Sequence, residues 1–546
     1  MDGYLIALIV LLAWIAVLIV GQKLKFWEKI HCQLMGPFLM VKTVKGREFI
    51  DRLARRKRFW TIYGRISVIV TMGSMIALTL LLTWEATLVF MIPSEYAPTP
   101  EMMIGIPGLN PFIPIWYGIL GIAVAIIIHE FAHGILSRVA NIKVESLGLV
   151  FLVLPMGAFV EPNEEEIRKT ERKNRVRLFA AGPGTNMLAA FICFVVLLVV
   201  LAPAMKPVSS GAIVKGVVVD SPAAHFGIST WSEILSVDNE KISVAEDISD
   251  LTFDHPGASV EVEILYDGNT SVVQVPGGVV IQSVTLSSPA AAAGIKPGMI
   301  VESLNNEPIN GLDEFTSVIQ NSSHDAPVGI TVLTYGYDAG LGKNWFIVNP
   351  NITSIALVDK WDYYAQNLPN SNDESYKGLS YMGVGSAVLG VAPVDSDYAS
   401  KFYTETFSGD AFTASINFIS LPLRGLSPIE GPLSTLYEPT GMLTGLPNDV
   451  FWVLTNSVYW IFWINLMVGL TNALPAVPLD GGYVFRDMLK GMFERVNAKR
   501  LSAAEAVRKK LIAEADADRY ISAISLTISV FILFLILWQL VGPRLF

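Results

Sequence analysis

His129 and His133 belong to the short motif His-Glu-Phe-Ala-His, which lies inside an apolar run from Trp116 to Leu136. On an α-helix residues i and i+4 share one face, so both imidazoles can bind one metal ion. Glu130 lies beside them, where its carboxylate can take a proton from a water molecule that the metal activates. Ionisable side chains are costly inside a membrane helix and usually mark function there. The motif therefore favours a catalytic metal site over two neutral core histidines bonded to backbone carbonyls.

A catalytic zinc normally has three protein ligands and one open position. The other histidines lie in a basic loop or in polar segments remote from this helix: His31, His225, His255 and His324. Some metalloproteases carry a third histidine six residues after the motif, but that position is Val139 here. We therefore expect the third ligand to be a carboxylate.

Asp480 is the carboxylate that fits this role best. It follows an apolar segment and two prolines, in the stretch from Asn472 to Gly482. Prolines interrupt a helix, and irregular backbone at membrane depth is tolerated where it lines a protein cavity. The structural alternative for Asp480 is a cap in an Asp-Gly turn. Glu145 is a competing ligand, but it follows Arg138 and Lys143, which assign it to a loop outside the cavity.

The composition is typical of a membrane protein. Of the 546 residues, 52% are hydrophobic and 16% are charged, and the mean hydropathy is +0.49. The net charge is −10 and basic residues cluster near apolar segments, which does not favour binding of nucleic acid. Cys32 lies in a basic loop and Cys193 in an apolar segment, so we predict neither a disulfide nor a cysteine metal site.

About six segments are apolar and long enough to cross a bilayer as helices. They are Tyr4–Val20, Ile66–Ile92, Ile115–Leu136, Val176–Ala202, Phe451–Leu470 and Ile521–Leu540. The first lacks a basic start and a small-residue cleavage site, which favours an uncleaved anchor over a signal peptide. Lys and Arg are concentrated after the first, third and fifth segments, and the positive-inside rule assigns these loops to the cytoplasm. Both termini and the acidic segment from Lys206 to Asp449 are then outside, with the active site toward the cytoplasmic side.

The outer segment contains an internal repeat with a constant offset of about 67 residues. Ser221-Pro222-Ala223-Ala224 returns as Ser288-Pro289-Ala290-Ala291, and Gly227-Ile228 returns as Gly294-Ile295. Strand-like runs accompany each copy: Ala212–Val219, Ser259–Leu265, Val279–Leu286 and Ile330–Thr334. The pattern resembles PDZ domains, except that Trp231 stands in the first copy where the second has Gly298. Such modules imply either strand addition of a peptide or chain end, or a steric filter.

These observations predict a polytopic α-helical membrane protein with an extramembrane, tandem PDZ-like α+β insertion. A polar insert over residues 340–380 is expected to be a loop. The predicted parts are a membrane anchor (1–22), a basic cytoplasmic loop (23–65), a second membrane helix with an outer loop (66–114), the first half of a catalytic core (115–204), two PDZ-like modules (205–276 and 277–400), an amphipathic membrane-surface segment (401–450), the second half of the core (451–490) and a cytoplasmic segment with the last membrane helix (491–546).

The chain resembles the site-2 proteases, zinc-dependent intramembrane metalloproteases. The resemblance rests on the order of the His129–His133 motif, the PDZ-like modules and the Asn472 to Gly481 stretch. It implies that His129, His133 and Asp480 bind one zinc ion and that Glu130 is the catalytic base. It also implies active-site support by Asn472 and by Asn186, which ends the motif Gly182-Pro183-Gly184-Thr185-Asn186. Leu152–Val160 is similar to the family's membrane-dipping β-hairpin, which would hold a substrate in extended form.

The expected function is endoproteolysis within transmembrane segments of other membrane proteins, as in regulated intramembrane proteolysis. The expected partners are these substrates, the lipid bilayer and peptide ligands of the PDZ-like modules, and the expected location is a prokaryotic plasma membrane. Three alternatives remain: an inactive scaffold that binds clients through its modules, a zinc transporter, and a prenyl-protein endopeptidase with a later Glu as ligand. The substrate itself is not indicated by the sequence.

Overall fold

The computed structural model describes residues 3–29, 32–91, 97–152, 154–323, 327–338, 343–367, 373–405, 411–498 and 506–545. The chain forms two compact units, and each is described by itself. The helical unit comprises residues 1–199, 419–428 and 454–546. The sheet unit comprises residues 200–418 and 429–453.

Helices and strands are numbered in chain order. The helices are α1 (Gly3–Lys23), α2 (Phe26–Lys29), α3 (Arg47–Ala54), α4 (Lys57–Leu88), α5 (Pro100–Met103), α6 (Ile115–Val139), α7 (Glu164–Lys169), α8 (Arg172–Val196), α9 (Pro222–Phe226), α10 (Ala245–Ser249), α11 (Pro289–Ala292), α12 (Leu312–Asn321), α13 (Lys360–Asn367), α14 (Tyr398–Glu405), α15 (Ala411–Ile419), α16 (Pro432–Thr435), α17 (Asn448–Ala473), α18 (Asp480–Ala498) and α19 (Ala506–Val541). The strands are β1 (Cys32–Met35), β2 (Phe38–Thr43), β3 (Val144–Leu152), β4 (Leu154–Pro162), β5 (Met205–Pro207), β6 (Ala212–Val217), β7 (Glu233–Val237), β8 (Glu240–Lys241), β9 (Ser259–Tyr266), β10 (Asn269–Pro276), β11 (Val279–Val284), β12 (Ile300–Leu304), β13 (Glu307–Pro308), β14 (Val328–Asp338), β15 (Lys343–Ile355), β16 (Val358–Asp359), β17 (Ser380–Tyr381), β18 (Val384–Val388), β19 (Val391–Asp395) and β20 (Tyr437–Pro439).

Five helical segments of the described chain are long and apolar enough to cross a membrane. They are Lys57–Met91, Ile115–Val139, Arg172–Ala204, Asn448–Ala473 and Asp518–Arg544. Four of them contain a whole predicted span, and Lys57–Met91 contains the predicted span Ile66–Ile92 except for residue 92, which lies outside the described residues. Helix α4 begins nine residues before Ile66 because charged residues can continue a helix beyond its apolar part. The remaining predicted span lies in α1, where the apolar stretch found among the described side chains is the shorter Leu12–Lys23. The number of six spans therefore stays a prediction.

Helix α8 lies at the centre of the helical unit and packs against α4, α6 and α18. Small residues allow the close approach of α4, because a Cβ added to Gly184 would lie 2.5 Å from the Ser67 Cβ. Thr71 of α4 also donates a hydrogen bond to the Ala180 carbonyl of α8, at 3.3 Å. Helix α4 thus supports the segment of α8 that contains the Gly182 to Asn186 motif.

A four-stranded antiparallel sheet in the order β1-β2-β3-β4 packs beside α6. Its last two strands form the hairpin expected over Leu152–Val160, but β3 begins eight residues earlier, at Val144. Strands β1 and β2 come from the segment predicted to be a basic loop, where alternation is too short to indicate a hairpin. Strand β4 lies at an edge of the sheet, so one side of its backbone faces away from β3.

The break between α17 and α18 brings two helix ends close together. Helix α17 ends at Ala473 and α18 begins at Asp480, with Pro475 and Pro478 in the intervening turn. A Cβ added to Gly481 would lie 2.1 Å from the Ala473 carbonyl oxygen, so only glycine fits at this position. The turn therefore fixes where α18 begins.

The sheet unit contains two modules with the same architecture. The first sheet has the order β10-β9-β7-β6-β19 and the second has the order β15-β14-β12-β11-β18. Strand β6 begins at Ala212 and β11 at Val279, and β7 begins at Glu233 and β12 at Ile300. Both pairs keep the offset of 67 residues, as do the serine caps Ser221 of α9 and Ser288 of α11. The structure thus confirms the duplication as a structural repeat.

The two modules are interlocked through their edge strands. Strand β19, which follows the whole second module in the chain, pairs with β6 of the first module. Strand β18 pairs with β11 of the second module, and only Leu389 and Gly390 separate the two edge strands. The first sheet therefore takes a strand from beyond residues 205–276, and the two predicted ranges remain predictions as domain limits. Val218, Val280, Ile300 and Leu333 form a shared buried cluster where the modules meet.

The polar insert of the second module is more structured than expected. Strand β15 pairs with β14, and α13 is followed by β17, which pairs with β16. The expectation of a loop over residues 340–380 was wrong for these described parts, because they form paired strands and the helix α13. Residues 339–342 and 368–372 lie outside the described residues. Short helices α14 to α16 occupy the segment 401–450, and its position on a membrane surface stays a prediction.

We predict that Asp487→Ala destabilises the helical unit strongly. Arg175 of α8 donates two hydrogen bonds to the Asp487 carboxylate of α18, at 2.6 and 3.0 Å, and both side chains are largely buried. Removing one partner of such a pair leaves a buried charge without compensation, and we expect the free energy of unfolding to fall by about 3 kcal/mol. Thermal unfolding in detergent would measure the loss.

Asp518→Ala is the matched control, because Asp518 of α19 pairs with Lys490 of α18 at 2.8 Å on an exposed surface. An exposed pair contributes no more than about 1 kcal/mol. Equal effects of the two substitutions would contradict the assignment of a buried, stabilising pair.

Candidate metal centre

His129 and His133 lie one helical turn apart on the buried face of α6, 7% and 9% exposed. Asp480 reaches them from the first position of α18. Its Oδ2 lies 2.9 Å from His129 Nε2 and 3.2 Å from His133 Nε2, and the two Nε2 atoms are 3.2 Å apart. The structure thus brings together the three side chains that the sequence predicts as metal ligands.

The other ring nitrogen of each histidine has its own acceptor. His129 Nδ1 lies 2.6 Å from Asn186 Oδ1, and His133 Nδ1 lies 2.8 Å from the Leu178 carbonyl oxygen. A carbonyl oxygen accepts a hydrogen bond and cannot donate one, so each Nδ1 carries the hydrogen. Each Nε2 then presents its lone pair toward the point that the three side chains share. Metal-binding histidines are usually held in this way.

The closeness of α8 depends on a glycine. A Cβ added to Gly182 would lie 2.4 Å from His129 Nε2 and 2.5 Å from His133 Nε2. Atoms of these types do not approach each other within 3 Å, so a residue larger than glycine at position 182 would displace the imidazoles. The sequence points to this segment only through the family resemblance, because nothing in its pattern shows that Gly182 lies against both histidines.

Asn186 of α8 is fully buried and connects three helices around His129. Besides its contact with the imidazole, its Nδ2 donates to the Ala125 carbonyl of α6 at 3.1 Å and to Asn465 Oδ1 of α17 at 3.0 Å. The sequence does not single out Asn465. The available signal is that a strongly polar residue lies inside an apolar span, where polar residues are usually functional.

The described hydrogen bond of Asn472 is within its own helix. Its Nδ2 donates to the Val468 carbonyl at 3.1 Å. Among the described hydrogen bonds, none joins Asn472 to His129, His133 or Asp480, and its role in the site stays a prediction. Asn465, seven residues earlier on α17, is connected to the His129 imidazole through Asn186.

Glu130 projects toward the four-stranded sheet. Its Oε2 accepts a hydrogen bond at 3.0 Å from the backbone N–H of Val160, in the edge strand β4. Since the Val160 N–H donates to Glu130, it points toward α6 and not toward β3. One carboxylate oxygen of the candidate base is therefore fixed by the strand, and no pattern in the sequence indicates this contact.

The other candidate ligands lie elsewhere. Glu145 is exposed on β3, and its carboxylate accepts from Asn163 at 2.7 Å. His225 and His255 are exposed residues of the sheet unit. His31 and His324 lie outside the described residues. Among the described residues, His129, His133 and Asp480 form the one cluster of three or more His, Cys, Asp or Glu side chains suited to a metal ion.

The donor set fits zinc. Two imidazole nitrogens and one carboxylate oxygen are typical of catalytic zinc sites, with bond lengths of about 2.0–2.2 Å. Such bond lengths separate neighbouring ligands of a tetrahedral site by about 3.3 Å, close to the 2.9–3.2 Å found between these atoms.

The sequence model of Peptidase family M50 matches residues 117–508, which is most of the chain. The chain belongs to Peptidase family M50. This confirms the family that the motifs resemble, the site-2 proteases, and with it the enzyme class, a membrane metallopeptidase. The match covers α6, α8, the sheet unit, α17 and α18, and so includes every residue of the candidate metal centre.

Three relatives show how far the similarity extends. An uncharacterized protein of Methanocaldococcus jannaschii is 30% identical over 236 residues, which is 42% of this chain and 60% of the relative. The Regulator of sigma-E protease RseP of Salmonella typhimurium is 22% identical over 429 residues, 67% of this chain and 88% of the relative. The zinc metalloprotease Rip1 of Mycobacterium bovis is 22% identical over 237 residues, 40% of this chain and 50% of the relative. The alignments to the first and third relatives thus span 60% and 50% of those proteins. The second relative is named as a protease and the third as a zinc metalloprotease.

We predict that Gly182→Ala weakens zinc binding at least tenfold, because the new methyl group would overlap both imidazoles of the M50 site. Zinc affinity can be measured in detergent by competition with a chelator. Gly73→Ala on α4 is the matched control, since a Cβ there meets nothing within 4 Å.

Alanine is a better helix former than glycine by up to about 1 kcal/mol. We therefore expect Gly73→Ala to preserve zinc affinity with equal or greater thermal stability. Unchanged zinc affinity in Gly182→Ala would show that α8 does not pack against the imidazoles as described.

Proposed function

We propose that this protein is a zinc-dependent endopeptidase that hydrolyses peptide bonds within transmembrane segments of other membrane proteins. The observation that carries the proposal is the convergence of His129 Nε2, His133 Nε2 and Asp480 Oδ2 within 3.2 Å of one another. Both histidines belong to α6, one of the helices long and apolar enough to span a membrane. A peptidase centre on such a helix acts on substrates that enter the same apolar environment.

His129, His133 and Asp480 would hold the zinc ion, which supplies Lewis-acid polarisation of the scissile carbonyl and makes water a stronger acid. Glu130 takes the proton of the attacking water and delivers a proton to the leaving amine. Its Oε2 is occupied by the Val160 N–H, so Oε1 is the oxygen available for this transfer. Asn186 and the Leu178 carbonyl keep the two imidazoles in the tautomer with a free Nε2.

The edge strand β4 is the proposed binding strand for the substrate. A helical substrate hides its peptide groups in its own hydrogen bonds, and pairing with a sheet edge stabilises the extended form that can be cleaved. Val160 pairs with Leu147 and Ala158 pairs with Leu149, without a bulge between them. Because Val160 directs its N–H away from β3, the alternation of an antiparallel pair directs that of Ala158 the same way. The Ala158 peptide groups are therefore suited to bind the substrate backbone.

The ligand set separates this proposal from its alternatives. A prenyl-protein endopeptidase would use a later glutamate, whereas the carboxylate beside the two histidines is Asp480. A zinc transporter needs polar groups along a path across the membrane. An inactive scaffold would have no reason to retain Glu130 beside a complete set of ligands, since charged groups at membrane depth are costly.

The two sheet modules are proposed to act as PDZ-like domains. Their edge strands β18 and β19 end their sheets, and each can accept an extended peptide or chain end. Steric exclusion of large substrate domains is the second use of the same modules. We propose a prokaryotic plasma membrane as the location, with the modules outside and the metal centre toward the cytoplasm, on the basis of the Lys and Arg distribution.

Glu130→Gln is expected to lower cleavage of a labelled transmembrane substrate at least a hundredfold, because an amide cannot accept the water proton. The glutamine oxygen can still accept from Val160, so zinc content and thermal stability should stay at the wild-type level. The measurement is cleavage by purified protein in detergent, with and without a chelator. Cleavage that persists in the zinc-loaded variant would remove Glu130 from its role. Zinc-loaded wild-type protein that cleaves none of a panel of transmembrane substrates would favour the scaffold.

Ala158→Pro is expected to lower kcat/KM about three- to tenfold, the effect of losing one hydrogen bond of about 1 kcal/mol to the substrate. Proline removes an N–H that faces away from β3, so the pairing of β3 with β4 should survive. Ala158→Val keeps the N–H and is the control for added volume. Equal activity of the proline and valine variants, at equal zinc content, would exclude substrate pairing at this position.

A further inference from the structure

Asn465 is an asparagine in the middle of α17, fully buried inside a helix that is long and apolar enough to span a membrane. Its side chain makes two hydrogen bonds. Nδ2 donates to the Ile461 carbonyl of the same helix at 2.7 Å, and Oδ1 accepts from Asn186 Nδ2 of α8 at 3.0 Å. A polar group in such surroundings is costly unless its hydrogen bonds are made, so the contact with Asn186 constrains both side chains.

The direction of these bonds is fixed by two backbone carbonyls. The Ile461 oxygen can only accept, so it selects the Nδ2 end of Asn465 and leaves Oδ1 for Asn186. The Ala125 oxygen can also only accept, and together with Asn465 Oδ1 it uses both hydrogens of Asn186 Nδ2. Asn186 must therefore present Oδ1, and not Nδ2, to the imidazole of His129.

This direction determines which nitrogen of His129 is free. With Asn186 Oδ1 at 2.6 Å, the hydrogen lies on Nδ1 and the lone pair lies on Nε2, beside Asp480. If the Asn186 amide were reversed, Nδ1 would have to accept and the hydrogen would move to Nε2. A protonated Nε2 cannot bind a metal ion.

We propose that Asn465 is a positioning residue for the metal centre, which acts through Asn186 to keep His129 in its metal-binding tautomer. The inference rests on the proposed function, because it concerns the same zinc site. It adds the helix α17 to the elements that determine zinc affinity, although no described hydrogen bond joins Asn465 to His129, His133 or Asp480.

The test is the zinc affinity of Asn465→Leu, measured by chelator competition in detergent without any substrate. Loss of an outer partner of a ligand typically weakens metal binding 10- to 100-fold, and we expect a loss in that range. Asn456→Leu is the matched control. Asn456 lies on the same helix, is also buried (2% exposed) and donates to Tyr117 of α6 at 3.4 Å. We expect Asn456→Leu to preserve zinc affinity within about twofold, because a substitution remote from the metal centre acts nearly independently of it.

A double variant distinguishes positioning from a general effect on packing. In Asn186→Leu the connection is already broken, so adding Asn465→Leu should cause no further loss of zinc affinity. Asn465→Asp restores an oxygen acceptor for Asn186 and should recover part of the affinity lost in Asn465→Leu. If the leucine variant is not folded, as judged by gel filtration and thermal unfolding, Asn465→Ala makes the same comparison, because alanine also offers no acceptor to Asn186.

Wild-type zinc affinity in a folded Asn465→Leu or Asn465→Ala variant would overturn the inference. Equal losses in Asn465→Leu and Asn456→Leu, or additive losses in the double variant, would overturn it too. Each of these outcomes leaves the proposed function intact. A wild-type chain that binds no zinc would contradict the proposed function and the inference together.

Discussion

The convergence of two imidazoles and one carboxylate among apolar helices is the constraint on which the rest of the helical unit depends. Buried polar groups destabilise a fold unless each is paired, and the cost is greatest for groups that carry charge. His129, His133 and Asp480 meet this condition because α8 supplies an acceptor to each Nδ1 and α18 places its carboxylate between the two Nε2 atoms. A small shift of either helix would break several of these contacts at once.

Several contacts within the helical unit oppose such a shift. Gly182 allows α8 to lie directly against the imidazoles, and Gly184 allows α4 to lie against the other side of α8. Arg175 and Asp487 join α8 to α18 only seven residues beyond Asp480. The turn before α18 is closed by Gly481, which fits against the Ala473 carbonyl. These contacts come from four separate parts of the chain, so the site exists only in the folded protein.

How much of this could be predicted from the sequence depends on whether a feature is local. The spacing of His129 and His133 follows directly from the helical period, and the spans follow from apolar length. Asp480 could be predicted by elimination, since it was the remaining carboxylate in a segment interrupted by prolines. The role of Asn465 could not be predicted, because its partner Asn186 lies 279 residues away. A single asparagine in an apolar run does not indicate which residue it contacts. The same limit applies to β19, whose pairing with β6 joins residues that are far apart in the chain.

The contact between Glu130 and Val160 connects two parts of the proposed mechanism. Glu130 follows His129 on α6, and its carboxylate is held by the Val160 N–H of β4. An extended substrate is proposed to bind to this same strand. Helix α6 packs along β4, so a peptide added to that edge would run beside the helix that carries both the ligands and the base. The position of the base relative to the substrate backbone would then be set by β-sheet register, whereas its position relative to the metal is set by the helical period. In this proposed arrangement one helix and one strand edge would align the metal ion, the base and the substrate backbone, and the substrate's own sequence would not have to supply the alignment.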